Sequence, residues 1–243
     1  MMLNEQNQYI KRISLKQDPP PPDTFPFNLP VIQHLTEILL HPNVTYIVGE
    51  NGMGKSTLLE ALAIHYGFNP EGGTRNFTFS TFDSHSNLEN YLRVSKGPQR
   101  PKDGFFFRAE TFYNVATNIE ELGVINSYGG TSLHKQSHGE SFFSVFMNRF
   151  DGNGVYILDE PEAALSPLRQ MSMLARIHEL VQDGSQFIIS THSPLLMAYP
   201  YARILELSEN GTFETSLENT GHYTLMKQFF EDKERLLHHL IDR

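Results

Sequence analysis

The sequence predicts an α/β fold with a parallel sheet at its centre, and three stretches predict it. Residues 44–49 (VTYIVG), 154–159 (GVYILD) and 186–190 (QFIIS) are short apolar runs bounded by turn residues. Runs of that length, apolar on both faces, are the strands of buried parallel sheets. The first feeds a glycine-rich turn and a helical run from Lys55. The second is followed by Ser166-Pro167, an N-cap and a first-turn proline that open another helix. A chain of 243 residues holds one large α/β domain or two small ones.

The other elements follow in order. Residues 8–15 (QYIKRISL) alternate as a first strand, and four consecutive prolines within 18–23 make a stiff spacer. Pro30 begins a helical pattern that reaches Leu40, and His41-Pro42-Asn43 turns into the 44–49 strand. The helix from Lys55 faces Leu58, Leu59, Leu62 and Ala63 inward and stops at Gly67. Residues 74–82 alternate as a strand through Phe77, Phe79 and Phe82, and 86–94 reads as a short helix. Residues 97–103 form a proline-rich, positively charged loop, 105–108 a buried strand and 110–122 a helix. After a loop-rich stretch, 139–150 is helical. The helix after Ser166 places Leu168, Met171, Leu174, Ile177 and Val181 on one face. Residues 202–207 and 212–217 flank Asn210-Gly211, a hairpin signal, and the tail 222–241 is one amphipathic helix.

Composition sets limits. A hydrophobic content of 39% supports a real core, and no apolar run approaches the roughly twenty residues of a membrane span. The first residues, MMLNEQNQYI, lack a secretory layout, and zero cysteines exclude disulfides and thiolate metal sites. A cytoplasmic protein is expected. The net charge of −9 repels nucleic acid overall and leaves room only for local contact, for which Lys96, Arg100 and Lys102 share one loop.

Residues 44–60 read VTYIVGENGMGKSTLLE, and Gly49 to Ser56 fit the phosphate-loop pattern G-x-x-x-x-G-K-[ST], the Walker A motif. A strand feeding a tight loop aims backbone N–H groups at an anion, and the following helix adds its positive end. Gly49, Gly52 and Gly54 let the backbone curl and approach phosphates. The nucleotide-binding set is therefore Gly49, Glu50, Asn51, Gly52, Met53, Gly54, Lys55, Ser56 and Thr57. Lys55 reaches the β- and γ-phosphates and Ser56 holds Mg²⁺. The run VYILDE places Asp159 at a strand's carboxyl end, where it can complete the Mg²⁺ shell. Glu160 follows and can orient and polarise an attacking water. Ser190-Thr191-His192-Ser193 ends another strand, with His192 placed to contact the γ-phosphate. Upstream, QSHGES opens a helix with a serine hydroxyl and a glycine N–H, a second anion site. Two phosphate-binding helix starts and one phosphate loop suggest that the second serves another subunit's nucleotide.

Together these motifs resemble the ATP-binding-cassette (ABC) ATPases, over residues 49–193 and in the family's order. Within the family the run SHGE and the run DEPEAALSP look closest to small soluble ATPases, similar to chromosome-maintenance and recombination heads and to the overcoming-lysogenization-defect group. The resemblance implies a P-loop NTPase fold of ABC type: a mixed sheet core, an antiparallel β lobe from strand 1 and the 74–82 region, and a small helical lobe over roughly 111–150, all in one domain, 1–243. It implies ATP and Mg²⁺ as ligands, with Glu160, His192 and Lys55 catalytic, and Ser56 and Asp159 on the metal. Ser137, His138, Gly139 and Glu140 form the signature, acting in trans within a head-to-tail homodimer. The chain departs from the pattern at Gln136 and His138, which replace a leucine and a glycine, and at Ser166, which replaces the D-loop aspartate. Glu110 stands where the Q-loop glutamine would; it is either a further Mg²⁺-side acceptor or a helix N-terminal acid. Phe25, Phe27 and Arg12 are the candidates for stacking on adenine. Genome maintenance or defence, with an unidentified protein or nucleic-acid partner, is the expected setting. The alternatives are a transporter's nucleotide-binding subunit and an ATP-gated scaffold that does not hydrolyse.

Overall fold

The computed structural model describes residues 1–76 and 86–241. Its strands are β1 (Ile10–Leu15), β2 (Ile38–Leu39), β3 (Val44–Gly49), β4 (Leu92–Lys96), β5 (Asp103–Arg108), β6 (Gly154–Asp159), β7 (Gln186–Ser190), β8 (Ala202–Ser208) and β9 (Gly211–Thr215). Its helices are α1 (Pro30–Gln33), α2 (Lys55–His65), α3 (Phe112–Glu121), α4 (His138–Arg149), α5 (Pro167–Gln182), α6 (Pro194–Met197), α7 (Gly221–Glu231) and α8 (Lys233–Ile241). Six strands form one sheet in the order β5-β6-β7-β3-β8-β9, parallel except for β9. A three-stranded antiparallel sheet, β2-β1-β4, lies apart from it in pairing.

The central strands are buried on both faces because each face has its own cover. Tyr46, Phe107, Tyr156, Leu158 and Phe187 share a core with Phe112, Val115, Phe142, Val145, Met173, Ile177 and Leu196 of α3 to α6. The alternate residues Ile47, Phe106, Ile157 and Ile188 share the other core with Leu58 and Leu62 of α2 and with Ile10, Ile13, Val31 and Leu92. Period-two alternation thus divides each strand between two cores, which makes the runs continuously apolar.

The two sheets are joined by a buried glutamine. Gln186 at the start of β7 accepts from Ile10 N at 2.9 Å and donates to Ile10 O at 2.8 Å and His41 O at 3.0 Å. It has no solvent exposure.

Several local expectations change. The helix that starts at Pro30 stops at Gln33, and Ile38–Leu39 instead pairs with Arg12 and Ile13 of β1. Residues 86–94 give one 3-10 turn, Leu88–Asn90, and then β4, which takes the other edge of β1. The antiparallel partners of β1 are therefore β2 and β4. The strand expected over 74–82 lies mostly outside the described residues; just before it, Gly73 and Phe106 exchange backbone hydrogen bonds at 2.7 and 2.9 Å. On α5 the buried face is Gln170, Met173, Ile177, Leu180 and Val181, and Leu168 and Met171 are exposed. The rotation follows Gln170, whose amide donates to Leu165 O and whose carbonyl accepts from Ser193 Oγ. The tail is two helices, because Asp232 leaves the helix and its carboxylate accepts from Arg235 N to start α8. The hairpin turn falls on Glu209-Asn210, with Ser208 opposite Gly211.

Gln186→Leu keeps the volume and removes the partners of Ile10 N and His41 O, while Ile10 O keeps the Gln8 amide at 3.1 Å. Each buried group left unpaired costs about 1–3 kcal/mol. The variant is expected to unfold at clearly lower urea concentration with an unchanged slope; an unaltered midpoint would show that this join carries no stability.

Candidate functional site

β3 is the fourth strand of the large sheet, and its last residue opens the phosphate loop. Gly49 sits at φ +140°, and a Cβ there would lie 2.5 Å from Leu207 O on β8. Gly54, the N-cap of α2 at φ +96°, would meet Val31 Cγ1 at 2.7 Å. These two glycines are therefore required by packing as well as by backbone conformation. Lys55 is buried, and its Nζ donates to Gly49 O at 2.7 Å and Glu50 O at 3.0 Å. Burial lowers its pKa, opposed by the charges of Glu160 and Asp159. A cavity of about 360 Å³ opens here, lined by Leu29, Asn51, Gly52, Gly54, Lys55, Ser56, Thr57, Glu110 and Glu160.

Three neighbouring strands set the acidic side of this cavity. Arg108, Asp159 and Ser190 are directly opposite one another across β5, β6 and β7. Ser190 Oγ donates to Asp159 Oδ1 at 2.5 Å, and Ser56 Oγ donates to the same oxygen at 3.2 Å. Arg108 Nε lies 4.0 Å from Asp159 Oδ2, and its guanidinium is paired with Glu60 and, at 3.4 Å, with Glu110. Burial raises the pKa of Asp159, while the two hydroxyl hydrogen bonds and Arg108 favour its charged form. Two oxygen donors about 3 Å apart match adjacent positions around a Mg²⁺ ion with bonds of about 2.1 Å. Among the described residues no group of three or more acids or histidines could form a complete protein cage. That suits Mg²⁺, which takes its remaining oxygens from phosphates and water. Glu110 is on the rim, 80% exposed and turned toward Arg108.

Glu160 adopts a left-handed backbone, φ +49° and ψ +53°, which costs a non-glycine residue about 1 kcal/mol or more. Its N–H is held by Ser190 O and Ser190 Oγ, both at 3.1 Å. Its Oε1 is 3.3 Å from His192 Nε2. The His192 backbone N–H donates to buried Glu162 Oε1 at 2.6 Å, and His192 Nδ1 is 2.8 Å from His222 Nε2. Burial, then the Lys55 charge, hold the His192 pKa below its ordinary value, so the ring is neutral at pH 7. Burial raises the pKa of Glu162.

The signature segment lies elsewhere. Ser137 caps α4 in a capping box: Glu140 N donates to Ser137 Oγ at 3.3 Å, and Ser137 N donates to Glu140 Oε2 at 3.1 Å. His138 is the first residue of α4. Gly139 backs onto the turn after Glu160; a Cβ would lie 2.0 Å from Ala164 O. None of Ser137 to Glu140 lines the phosphate cavity. Of the adenine-stacking candidates, Phe27 is buried edge-on against Tyr91, Arg12 pairs with Glu37, and Phe25 is exposed.

Comparison with known proteins agrees with this geometry. A family model described as an AAA domain matches residues 27–140, and one described as an AAA ATPase domain matches 130–197. A Caldanaerobacter subterraneus protein described as an ABC transporter ATP-binding protein is 30% identical over 194 residues, covering 70% of this chain and 78% of that protein. The chain belongs to the ABC-type ATPases. The energy-coupling factor transporter ATP-binding protein EcfA2 of Methanospirillum hungatei is 25% identical over 213 residues, 77% of this ATPase. The match spans only about half, 51%, of that protein's length. The structure of cbiO1 from Clostridium perfringens, part of the cbiONQ transporter complex, superposes with a TM-score of 0.50 at 17% identity, covering 98% of this chain and all of that one. The likeness extends to the fold.

Sequence reasoning named Lys55, Ser56, Asp159, Glu160 and His192, and the structure gathers them. It missed Arg108, Glu60, Glu162 and His222 and gave Ser190 no role. The rung shared by Arg108, Asp159 and Ser190 depends on strand register, which no single stretch displays. Glu162 is visible in the run PEAALSP. His222 carries no motif.

Proposed function

We propose that this ATPase binds Mg²⁺-ATP and hydrolyses it as a head-to-tail homodimer, with all 243 residues forming one unit and the lobe over roughly 111–150 carrying the signature. One observation supports the reading above others. Lys55, Ser56, Asp159 and Glu160 converge beside one cavity, while the second anion-binding helix start, at Ser137, lies outside it. Lys55 and the loop N–H groups bind the β- and γ-phosphates. Ser56 and Asp159 hold Mg²⁺, with Glu110 on the rim as a further acceptor. When bound, the ion neutralises developing phosphate charge. Glu160 accepts the proton of the attacking water, and neutral His192 donates Nε2–H toward the γ-phosphate. Ser137 and the N–H groups of His138, Gly139 and Glu140 act on the partner subunit's nucleotide.

Glu160→Gln removes the base and keeps the side-chain size. ATP and Mg²⁺ should still bind, turnover should fall roughly 10²-fold or more, and ATP should hold a dimer. Phosphate release at the wild-type rate would assign the base elsewhere. Phosphate release by the wild type also excludes the non-hydrolysing scaffold.

The trans assignment is tested by mixing two inactive chains, Lys55→Ala and Ser137→Glu. Ser137 is exposed and tolerates a carboxylate sterically, unlike Gly139. A mixed dimer has one site with Lys55 and Ser137 both intact, so activity should return to a fraction of wild type. Formation of mixed dimers with no return of activity would overturn action in trans with independent sites.

For the cycle's purpose, genome maintenance or defence in the cytoplasm is favoured by a cationic surface. A cavity of about 510 Å³ is lined by Arg75, Lys96 and Arg100 with Tyr66 as its floor. The Arg75 guanidinium and the Lys96 ammonium lie 4.6 and 4.7 Å from the Tyr66 ring, with no carboxylate in the lining. On a chain of net charge −9 this suits local contact with a nucleic-acid backbone. The transporter reading rests on the names of the relatives, and no described helix is long and apolar enough to cross a bilayer. DNA should bind the wild type at low salt, weaken steeply as salt rises, and be lost in an Arg75→Glu, Lys96→Glu, Arg100→Glu variant. Absence of binding at low salt with ATP present would favour the transporter reading.

A further inference from the structure

The two ring nitrogens of His192 are not equivalent: Nδ1 has a hydrogen-bond partner, and buried Nε2 has none among the described residues and only the Glu160 carboxylate nearby. Nε2 faces the Glu160 carboxylate at 3.3 Å, and Nδ1 faces His222 Nε2 at 2.8 Å, with the ring planes 62° apart. A neutral imidazole carries one N–H and one lone pair. With the proton on Nδ1, the Nε2 lone pair would lie beside a carboxylate, negative against negative. With the proton on Nε2, the positive end of that N–H lies beside the Glu160 charge and stays free for an incoming acceptor, and Nδ1 needs a donor. His222 Nε2 is the atom in place to donate. The partner of one nitrogen sets which nitrogen holds the proton.

The placement of His222 has structural support of its own. It lies in the first turn of α7, after the 3-10 turn Leu217–Asn219. Thr220 caps that turn: it is fully buried, accepts from Tyr223 N at 3.4 Å and donates to Leu217 O at 2.7 Å. The rest of α7 is largely exposed and has no buried residue. The helix is thus seated on the protein at the end that carries His222. The family matches stop at residue 197 and do not reach it.

We infer that His222 is a positioning residue, whose Nε2–H fixes His192 as the tautomer that presents Nε2–H to the nucleotide side of the site. The assignment rests on the proposed role of His192 at the γ-phosphate. His222 touches neither the phosphate loop nor Asp159 in the contacts of the site, so its effect falls on turnover and not on ATP affinity.

The test uses His222→Leu, which removes the donor, and His222→Gln, whose amide Nε2 can replace it, in the full chain with melting temperature monitored. Turnover by His222→Leu should fall about 10–100-fold, the scale on which an imidazole's orienting partner acts, with KM for ATP little changed. His222→Gln should recover most of it. Nitrogen-15 spectra of labelled histidine, with His192 assigned by its loss in His192→Gln, should show the proton on Nε2 in the wild type and His222→Gln, and a mixture in His222→Leu. Three results would each overturn the assignment: wild-type turnover by His222→Leu, equal loss in both variants, or a wild-type His192 protonated on Nδ1. Full turnover by His192→Gln would instead overturn the γ-phosphate role beneath it, and the spectra separate the two failures because they read the tautomer without turnover.

Discussion

The buried carboxylate of Asp159 is the constraint around which the site is arranged. An unpaired carboxylate at that depth would take up a proton, because burial disfavours its charge. What favours its charged form is drawn from three elements: Ser56 from α2, Ser190 from β7 and Arg108 from β5. Only parallel strands in this register bring Arg108 and Ser190 beside Asp159 on one rung. The same rung then places Glu160, because its N–H bonds to Ser190 stabilise a left-handed backbone that no glycine provides. The order of the sheet and the chemistry of the acid side are one requirement.

The fold was legible wherever burial left a one-dimensional trace. β3, β6 and β7 are covered on both faces and so read as unbroken apolar runs. Ser166 and Pro167 announced α5 because capping is local. The failures share a cause too. Ile38 and Leu39 fit a helical spacing, but the open edge of β1 offered backbone partners that a third helical turn could not. The face of α5 was misjudged because a polar residue, Gln170, is buried there by hydrogen bonds to Leu165 and Ser193, while Leu168 and Met171 face outward. Hydrophobic periodicity cannot see a buried amide.

The site divides in the same way. Gly49 to Gly54 and the first two residues of α2, Lys55 and Ser56, are contiguous, so spacing alone pointed to them. Arg108 occupies ground that sequence reasoning gave to Glu110. Its guanidinium pairs with Glu60, Glu110 and Asp159 together, which explains why Glu110 turns to the rim and away from Ser56. A cation beside the metal-side acid is an electrostatic feature that only the folded arrangement displays.

The short turn Pro161–Ala164 joins what the motifs list separately. At its end, Ala164 O fills the space that a side chain at Gly139 would need, so the start of α4 is fitted to this turn. In its middle, Glu162 holds the backbone of His192. Just beyond it, Leu165 O is tied through Gln170 to Ser193, the cap of α6. The start of α4, Glu160 and the segment of His192 are therefore gathered around four residues. Ser166, which stands in place of the D-loop aspartate, has a local role. Its hydroxyl caps α5 and so fixes where the turn ends. Within the chain, residues 137–140 and His192 are brought together by main-chain packing at Gly139 and by Glu162.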